Sequence, residues 1–153
     1  MTVQQTINFD LIAEITIGYS HLVKPANQIQ ICSSADTYKH VLPIWKEIDY
    51  RESFAVLLLS RANKILGIRW ISAGGTNSTL VDIKMIFQAA LKANSVAIIA
   101  AHNHPSGQLY PSDADTKLTR KIRDAGNFLD ITLLDHIILS SEGYYSMADE
   151  GLI

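Results

Sequence analysis

Cysteine is almost absent from this sequence, which contains only Cys32 among its 153 residues. A single thiol cannot form an internal disulfide, and without a Cys-x-x-Cys pair the chain lacks the usual thiolate zinc knuckle. A free cysteine in such a chain is typically buried, and we therefore expect a buried structural thiol at Cys32.

Long hydrophobic runs are also missing. The apolar stretches at residues 54–59 and 96–101 are far shorter than the roughly 20 residues that a membrane-spanning helix needs. The N-terminus shows no basic segment followed by an apolar one, as a signal peptide would. These absences predict a soluble, cytoplasmic protein that does not associate with membranes.

The chain has no large excess of charge of either sign, because its formal net charge is −2. That balance gives no general attraction to phosphates, so tight nucleic-acid binding is not expected, although a local basic patch stays open. One predicted helix is partly basic, but a solvated helix surface explains its Lys117, Arg120, Lys121 and Arg123.

The sequence does contain ample material for a core, with 48% hydrophobic residues. It shows no internal repeat, low-complexity stretch or proline-rich linker, which favours a single main domain. We place that domain at residues 31–153. Residues 1–30 are predicted to be an N-terminal arm, in which the β-rich residues 11–19 could form an edge strand.

The hydrophobic periodicity predicts helices and strands in alternation. A helix over residues 36–48 can be capped by Ser33 or Ser34 and should be kinked or divided by Pro43. Further helices are predicted at residues 79–94 and 112–128, and strands at 53–60, 65–72, 95–101, 131–140 and 144–146. The first two strands form a hairpin, and residues 95–101 are apolar enough for a central strand. This order predicts an α/β fold, with helices packed on a mixed sheet.

The residues that can carry chemistry follow the predicted central strand. His102-Asn103-His104-Pro105 leaves that strand, and Ser112-Asp113-Ala114-Asp115 opens the next helix. Residues two apart in an extended chain point to the same side, so His102 and His104 can converge on one ion. If Ser112 caps the helix, Asp115 lies in the first turn, where its carboxylate can face the same ion.

Two imidazoles and a carboxylate form a ligand set that suits zinc and leaves its fourth position for water. Bound zinc lowers the pKa of water from 15.7 to about 7 and can polarise a carbonyl, while a nearby carboxylate must still move protons. The pattern therefore predicts a catalytic zinc centre.

Each part of the pattern also has a simpler interpretation. Ser112-x-x-Asp115 alone is typical of a capping box, and a lone His-x-His is more often solvated than metal-bound. The combined order after a buried strand favours the metal site. Asp135 and His136, in a later strand, could orient a ligand through hydrogen bonds, although a core histidine with satisfied hydrogen bonds is the simpler interpretation of His136.

The motif resembles the signature of RadC-like proteins, which belong to the JAMM (MPN+) metalloprotease superfamily. The residues that carry the resemblance are His102-Asn103-His104-Pro105-Ser106-Gly107 and Pro111-Ser112-Asp113-Ala114-Asp115. The similarity extends over most of the chain, from Arg51-Glu52-Ser53-Phe54 through Leu134-Asp135-His136 to Glu150-Gly151-Leu152.

The resemblance implies a sandwich similar to the cytidine-deaminase-like fold, with zinc held by His102, His104 and Asp115. It implies that Ser112 stabilises the oxyanion formed at a substrate carbonyl and that Glu52 is the general base. Glu47 and Asp49 are the nearby carboxylates that compete with Glu52 for this role, and the family motif favours Glu52.

The implied activity is zinc-dependent hydrolysis of an amide or isopeptide bond in a peptide or protein substrate. The RadC label suggests a link to DNA repair, but nothing in the motif indicates that it reads base edges or phosphates. Two departures from the family stand out. The first thirty residues do not resemble the N-terminal helix-hairpin-helix region of longer RadC-like proteins, and Ile83-Lys84-Met85 replaces the usual Pro-Arg-Glu.

Two other functions compete with hydrolysis. One is a non-catalytic module that associates with DNA or with another protein. The other is a nucleotide or nucleobase deaminase, whose signature is His-x-Glu followed by Pro-Cys-x-x-Cys. Here His104 stands in the place of that glutamate and the chain has no cysteine pair, so the sequence favours the hydrolase.

Overall fold

A five-stranded mixed sheet lies at the centre of the computed structural model, which describes residues 15–16, 18–20, 23–74 and 81–153. The strands are β1 (Ser53–Leu59), β2 (Ile65–Ala73), β3 (Ala97–Asn103), β4 (Thr132–Leu139) and β5 (Tyr144–Ser146), and the helices are α1 (Ser34–Val41), α2 (Ile83–Lys92) and α3 (Asp113–Phe128). The strands lie in the order β2-β1-β3-β4-β5, and β3 and β4 are the parallel neighbours. The predicted α/β fold, with its hairpin and central strand, is confirmed.

Both faces of the sheet are covered, because alternate side chains of β1 and β3 enter two separate cores. Phe54, Val56 and Leu58 of β1 pack with Ile86 of α2 and Ile122 of α3. The intervening β1 side chains pack with α1 and the segment after it; they are Ala55, Leu57 and Leu59. The continuous apolar sequence of β1 therefore reflects burial on both faces.

Strand β4 contains a register irregularity that changes which side chains face α2 and α3. Leu133 pairs with Ile98, but Asp135 rather than Leu134 pairs with Ile99. Strict alternation would place Asp135 on the same face as Leu133. The extra residue instead puts His136 on the α2 and α3 face, where it contacts Phe54.

Helix α1 is shorter than the predicted helix at residues 36–48. Ser33 caps it, accepting a hydrogen bond from the Asp36 amide at 3.1 Å. The helix ends at Val41 and continues as a 3-10 turn, Leu42–Ile44, because Pro43 cannot donate the hydrogen bond that the next helical turn requires.

The expectation of a buried thiol at Cys32 is wrong, since this residue is exposed. The neighbouring Ile31 takes the buried position, and the Cys32 amide donates to Asp36 Oδ2 at 3.0 Å as the chain turns into α1.

Much of the predicted N-terminal arm lies outside the described residues, although Gln30 pairs with Lys64 at the start of the domain. Within the described ranges, no helix combines the length and apolarity needed to cross a bilayer.

Candidate metal centre

The fold brings together three chain segments that are far apart in sequence. Because β1 runs antiparallel to β3, the start of β1 lies beside the end of β3, where Phe54 pairs with His102. Helix α3 follows β3 after a short loop and returns the chain to the parallel strand β4. The histidine motif, the first turn of α3 and the residues before β1 therefore meet at one edge of the sheet.

His102, His104 and Asp115 form a compact cluster at this edge, and one ligand atom from each lies within 4.8 Å of the others. His102 Nε2 is 3.0 Å from His104 Nε2 and 3.3 Å from Asp115 Oδ1. His104 Nε2 is 3.6 Å from Asp115 Oδ2. His102 is buried, whereas the other two side chains are partly accessible. The structure thus places all three predicted metal ligands around one point.

His104 is oriented by the turn that follows it. The Gly107 amide donates to the His104 carbonyl at 3.0 Å, which closes a turn with Pro105 in its second position. His104 Nδ1 then lies in hydrogen-bonding contact with the Gln108 carbonyl. Because a carbonyl can only accept, Nδ1 carries a proton, and in the neutral ring Nε2 presents its lone pair to the cluster.

Asp115 has two roles, because it caps the start of α3 and also belongs to the cluster. Ser112 Oγ accepts from the Asp115 amide at 3.1 Å, and the Ser112 amide donates to Asp115 Oδ2 at 2.7 Å, which completes a capping box. The Ser112 hydroxyl also donates to Oδ2 at 2.6 Å, so this oxygen is firmly held. The capping interpretation of the sequence is therefore correct, and it coexists with an Oδ1 that faces His102.

The electrostatics of the cluster favour a cation. Burial raises the pKa of Asp115, but the imidazoles of His102 and His104 beside it outweigh burial and hold that pKa far below its usual range. The hydrogen bond with Asp115 raises the pKa of His104, against the opposing effect of burial. A carboxylate that stays charged beside two imidazole nitrogens attracts positive charge to the point between them.

The donor set fits zinc in distance as well as in kind. Ligand atoms that lie about 2.0–2.1 Å from a tetrahedral zinc ion are about 3.3–3.4 Å from each other. The three separations here, 3.0, 3.3 and 3.6 Å, bracket that value. Two nitrogens and a carboxylate oxygen are also ligands that zinc accepts in sites open to a water. We conclude that these residues could hold the ion.

His136 and Thr119 support the cluster from inside the protein. His102 Nδ1 lies 2.8 Å from His136 Nε2, and His136 Nδ1 lies 2.6 Å from Thr119 Oγ1. The ring of Phe54 stacks on that of His102, with centroids 6.1 Å apart. Asp135 faces away, where Oδ2 accepts from the Ser146 hydroxyl at 2.7 Å. Sequence analysis had proposed that Asp135 and His136 could orient a ligand, with a satisfied core histidine as the simpler interpretation of His136. The structure brings only His136 to a ligand, and His136 is also buried with both ring nitrogens in hydrogen-bonding contact.

Asn103 ties the segment before β1 to the metal motif. Its Oδ1 accepts from the Ser53 amide at 2.7 Å, while Nδ2 donates to the carbonyls of Ile48 and Arg51 at 2.6 and 2.7 Å. These bonds hold the backbone on both sides of Glu52. Sequence analysis missed this role of Asn103. Its position between two ligands was a signal, because alternation along a strand points its side chain to the face opposite the two imidazoles.

Glu52 opens onto the same cleft as the cluster. The cleft has a volume of about 490 Å³ and is lined by Tyr50, Glu52, His104, Pro105, Ser106, Gln108, Tyr110, Pro111 and Ser112. The charge of Glu52 contributes to the raised pKa of His104, so the carboxylate acts on the cluster electrostatically. Of the competing carboxylates, Glu47 pairs with Arg51 at 2.9 Å and Asp49 accepts from Ser141 at 2.8 Å. Neither lines this cleft.

Replacement of Ser112 by alanine separates its capping role from its contact with the cluster. We expect Ser112→Ala and the control Ser33→Ala to lower the free energy of unfolding by about 1 kcal/mol each, because each serine caps a helix through a 3.1 Å bond. Only Ser112→Ala should also weaken zinc binding, since it removes one of the two hydrogen bonds that hold Asp115 Oδ2. Urea unfolding and zinc titration measure the two effects. Equal zinc affinities in the two variants would contradict the expected link.

Comparison with known proteins identifies a family for this chain. The family model described as a RadC-like JAB domain matches residues 31–152. A UPF0758 protein from Flavobacterium johnsoniae is 36% identical over 99% of this chain and 70% of its own length. UPF0758 proteins from Desulfitobacterium hafniense and Porphyromonas gingivalis are 41% and 38% identical over 90% and 80% of this chain. The chain spans only 59% and 54% of the lengths of these last two relatives.

Proposed function

Since the chain belongs to the family of RadC-like JAB domains, we propose that it is a zinc-dependent hydrolase that cleaves an amide or isopeptide bond in a peptide or protein substrate. The observation that carries the proposal is the convergence of His102, His104 and Asp115 beside a cleft that Glu52 also lines. Zinc, when bound there, would supply Lewis-acid chemistry and a water of lowered pKa.

The protein's own residues supply the remaining chemistry. Glu52 accepts a proton from the attacking water and donates it to the amine nitrogen as the C–N bond breaks. Ser112 lines the cleft, and its hydroxyl donates a hydrogen bond to Asp115 Oδ2 in this structure. Rotation of that O–H toward the substrate would let it stabilise the negative charge that develops on the carbonyl oxygen.

The composition of the cleft supports an amide substrate over a nucleic-acid one. Among the described residues that line it, none is lysine or arginine, and Glu52 contributes a negative charge. A phosphate backbone is bound chiefly by such basic side chains. Tyr50 and Tyr110 are exposed on the cleft and offer aromatic surface to the side chains of a peptide.

Metal removal and restoration test the proposal on the full chain. We expect purified protein to bind one zinc ion and to hydrolyse members of a panel of peptide amides and lysine isopeptides. Chelation should abolish hydrolysis, and one equivalent of zinc should restore it. Stoichiometric zinc without turnover of any substrate would favour a non-catalytic module. Release of ammonia from cytidine or adenosine, measured in the same series, would favour a deaminase.

A further inference from the structure

A chain of hydrogen bonds runs from the cluster into the protein interior. It begins at His102 Nδ1, passes through both ring nitrogens of His136 and reaches Thr119 Oγ1. Thr119 Oγ1 also lies 2.6 Å from the backbone carbonyl of Asp115, four residues earlier in α3. All three side chains are at most 2% exposed, so water does not compete for these contacts. The chain therefore links two of the three proposed ligand residues through the core.

The last contact fixes the direction of every proton in the chain. The Asp115 carbonyl can only accept, so the Thr119 hydroxyl donates its single proton there. The sulfur of Met147, at 3.4 Å, is a more distant and weaker acceptor. Because its single proton is already engaged with the Asp115 carbonyl, Thr119 Oγ1 must accept from His136 Nδ1. His136 Nε2 is then bare and accepts from His102 Nδ1.

The opposite direction requires a destabilising contact. If Thr119 donated to His136, its oxygen would lie 2.6 Å from the Asp115 carbonyl oxygen with no proton between them. Two buried oxygen atoms that face each other without a proton lose a hydrogen bond and repel. The carbonyl thus favours one direction, in which His102 Nε2 carries no proton and directs its lone pair into the cluster, where a bound cation would relieve its repulsion with the His104 Nε2 lone pair 3.0 Å away.

We propose that Thr119 and His136 are positioning residues that hold His102 in its Nδ1–H tautomer, with Nε2 free to bind a metal. The proposal rests on the metal centre of the proposed function, although not on hydrolysis. A metal ion binds an unprotonated imidazole nitrogen, so a ring already held in that tautomer has no proton to move before binding. Partners of this kind typically change metal affinity by about 10- to 100-fold.

The tautomer can be observed without metal or substrate. In the metal-free full chain, ¹⁵N NMR of the imidazole side chains distinguishes protonated from bare ring nitrogens. Spectra are recorded about two pH units above the ordinary imidazole pKa of about 6.5, where unperturbed rings are neutral. We expect a protonated Nδ1 and a bare Nε2 for His102 in the wild type. A bare Nδ1 with a protonated Nε2 would overturn the proposal.

Zinc affinity of matched variants supplies the second measurement. Thr119→Val keeps the shape of the side chain but cannot accept from His136, and we expect about tenfold or greater loss of zinc affinity. Thr119→Ser keeps the hydroxyl and should stay within about threefold of the wild type. His136→Gln can accept from His102 and donate to Thr119, so it should bind zinc more tightly than His136→Leu.

Thr37→Val is the control for a purely structural effect. Thr37 is as buried as Thr119, and its hydroxyl also donates to the carbonyl four residues earlier, at 3.3 Å. Thr37→Val should therefore lower the melting temperature in a similar way and leave zinc affinity unchanged. Equal losses of zinc affinity in the two valine variants, or none in Thr119→Val, would overturn the proposal. A wild type that fails to bind zinc would refute the proposed function, while the metal-free tautomer would still decide the role of Thr119 and His136.

Discussion

Replacing Glu52 with glutamine should lower kcat for amide hydrolysis by about 10²- to 10⁴-fold while the protein keeps its full zinc content. Glutamine has nearly the same size but cannot accept and return a proton at neutral pH. Because Glu52 lies outside the ligand set, the zinc ion should stay bound. The loss corresponds to about 2.7–5.4 kcal/mol of transition-state stabilisation. Steady-state kinetics and elemental analysis of the same preparations measure both quantities.

Glu47→Gln is the matched control for this variant. It makes the same chemical change in the same connecting segment, but Glu47 pairs with Arg51 and does not line the cleft. Its kcat should equal that of the wild type. If Glu52→Gln retained full kcat, or if Glu47→Gln lost as much, the general base would have to be sought elsewhere.

The sequence predicted the ligand cluster well because its determinants are local. The spacing of His102 and His104 and the position of Asp115 in the first turn of α3 follow from strand and helix geometry alone. The cap at Ser112 also depends on residues within one turn. Local periodicity likewise predicted the order of helices and strands. Helix α1 ends at Val41, close to Pro43, which was expected to kink or divide the helix, whereas the buried thiol expected at Cys32 is exposed.

The contact between His136 and His102 could not be predicted from the sequence, because it depends on the register in which β4 pairs with β3. His136 reaches His102 only because β4 carries an extra residue between Leu133 and Asp135. With regular alternation, Asp135 would lie on that face instead. No local sequence pattern marks this irregularity, so the sequence could not show that only His136 of the two residues reaches a ligand. Thr119 was missed for the same reason, since its partner is His136.

The position of Glu52 illustrates a second limit of sequence reasoning. Without a family motif, its distance of fifty residues from His102 gives no sign of proximity. The antiparallel pairing of β1 with β3 supplies that proximity, and Asn103 fixes the backbone around Glu52. Pairing between distant strands is a property of the whole sheet, which the composition of either strand cannot reveal.

Replacing Asp115 with asparagine should weaken zinc binding by more than about 100-fold, because a direct ligand contributes more than the outer partners of a metal site do. The variant keeps an oxygen near the cluster but removes its negative charge, which both imidazoles contact. Competition with a chromophoric chelator measures the affinity. At a zinc concentration that is 100 times the wild-type Kd, zinc stabilises the fold by about 2.7 kcal/mol. A 100-fold weaker site gains only about 0.4 kcal/mol there, so the rise in melting temperature should nearly vanish.

Asp113→Asn controls for the loss of a negative charge at the helix start. Asp113 lies in the same first turn of α3 as Asp115, but it is exposed and does not belong to the cluster. Both variants lose a favourable interaction with the helix dipole, which is worth about 0.3–1 kcal/mol. Only Asp115→Asn should lose the stabilisation by zinc. If Asp115→Asn bound zinc as tightly as the wild type, the ion would have to be held by other residues. The proposed hydrolase would then lose its catalytic metal site.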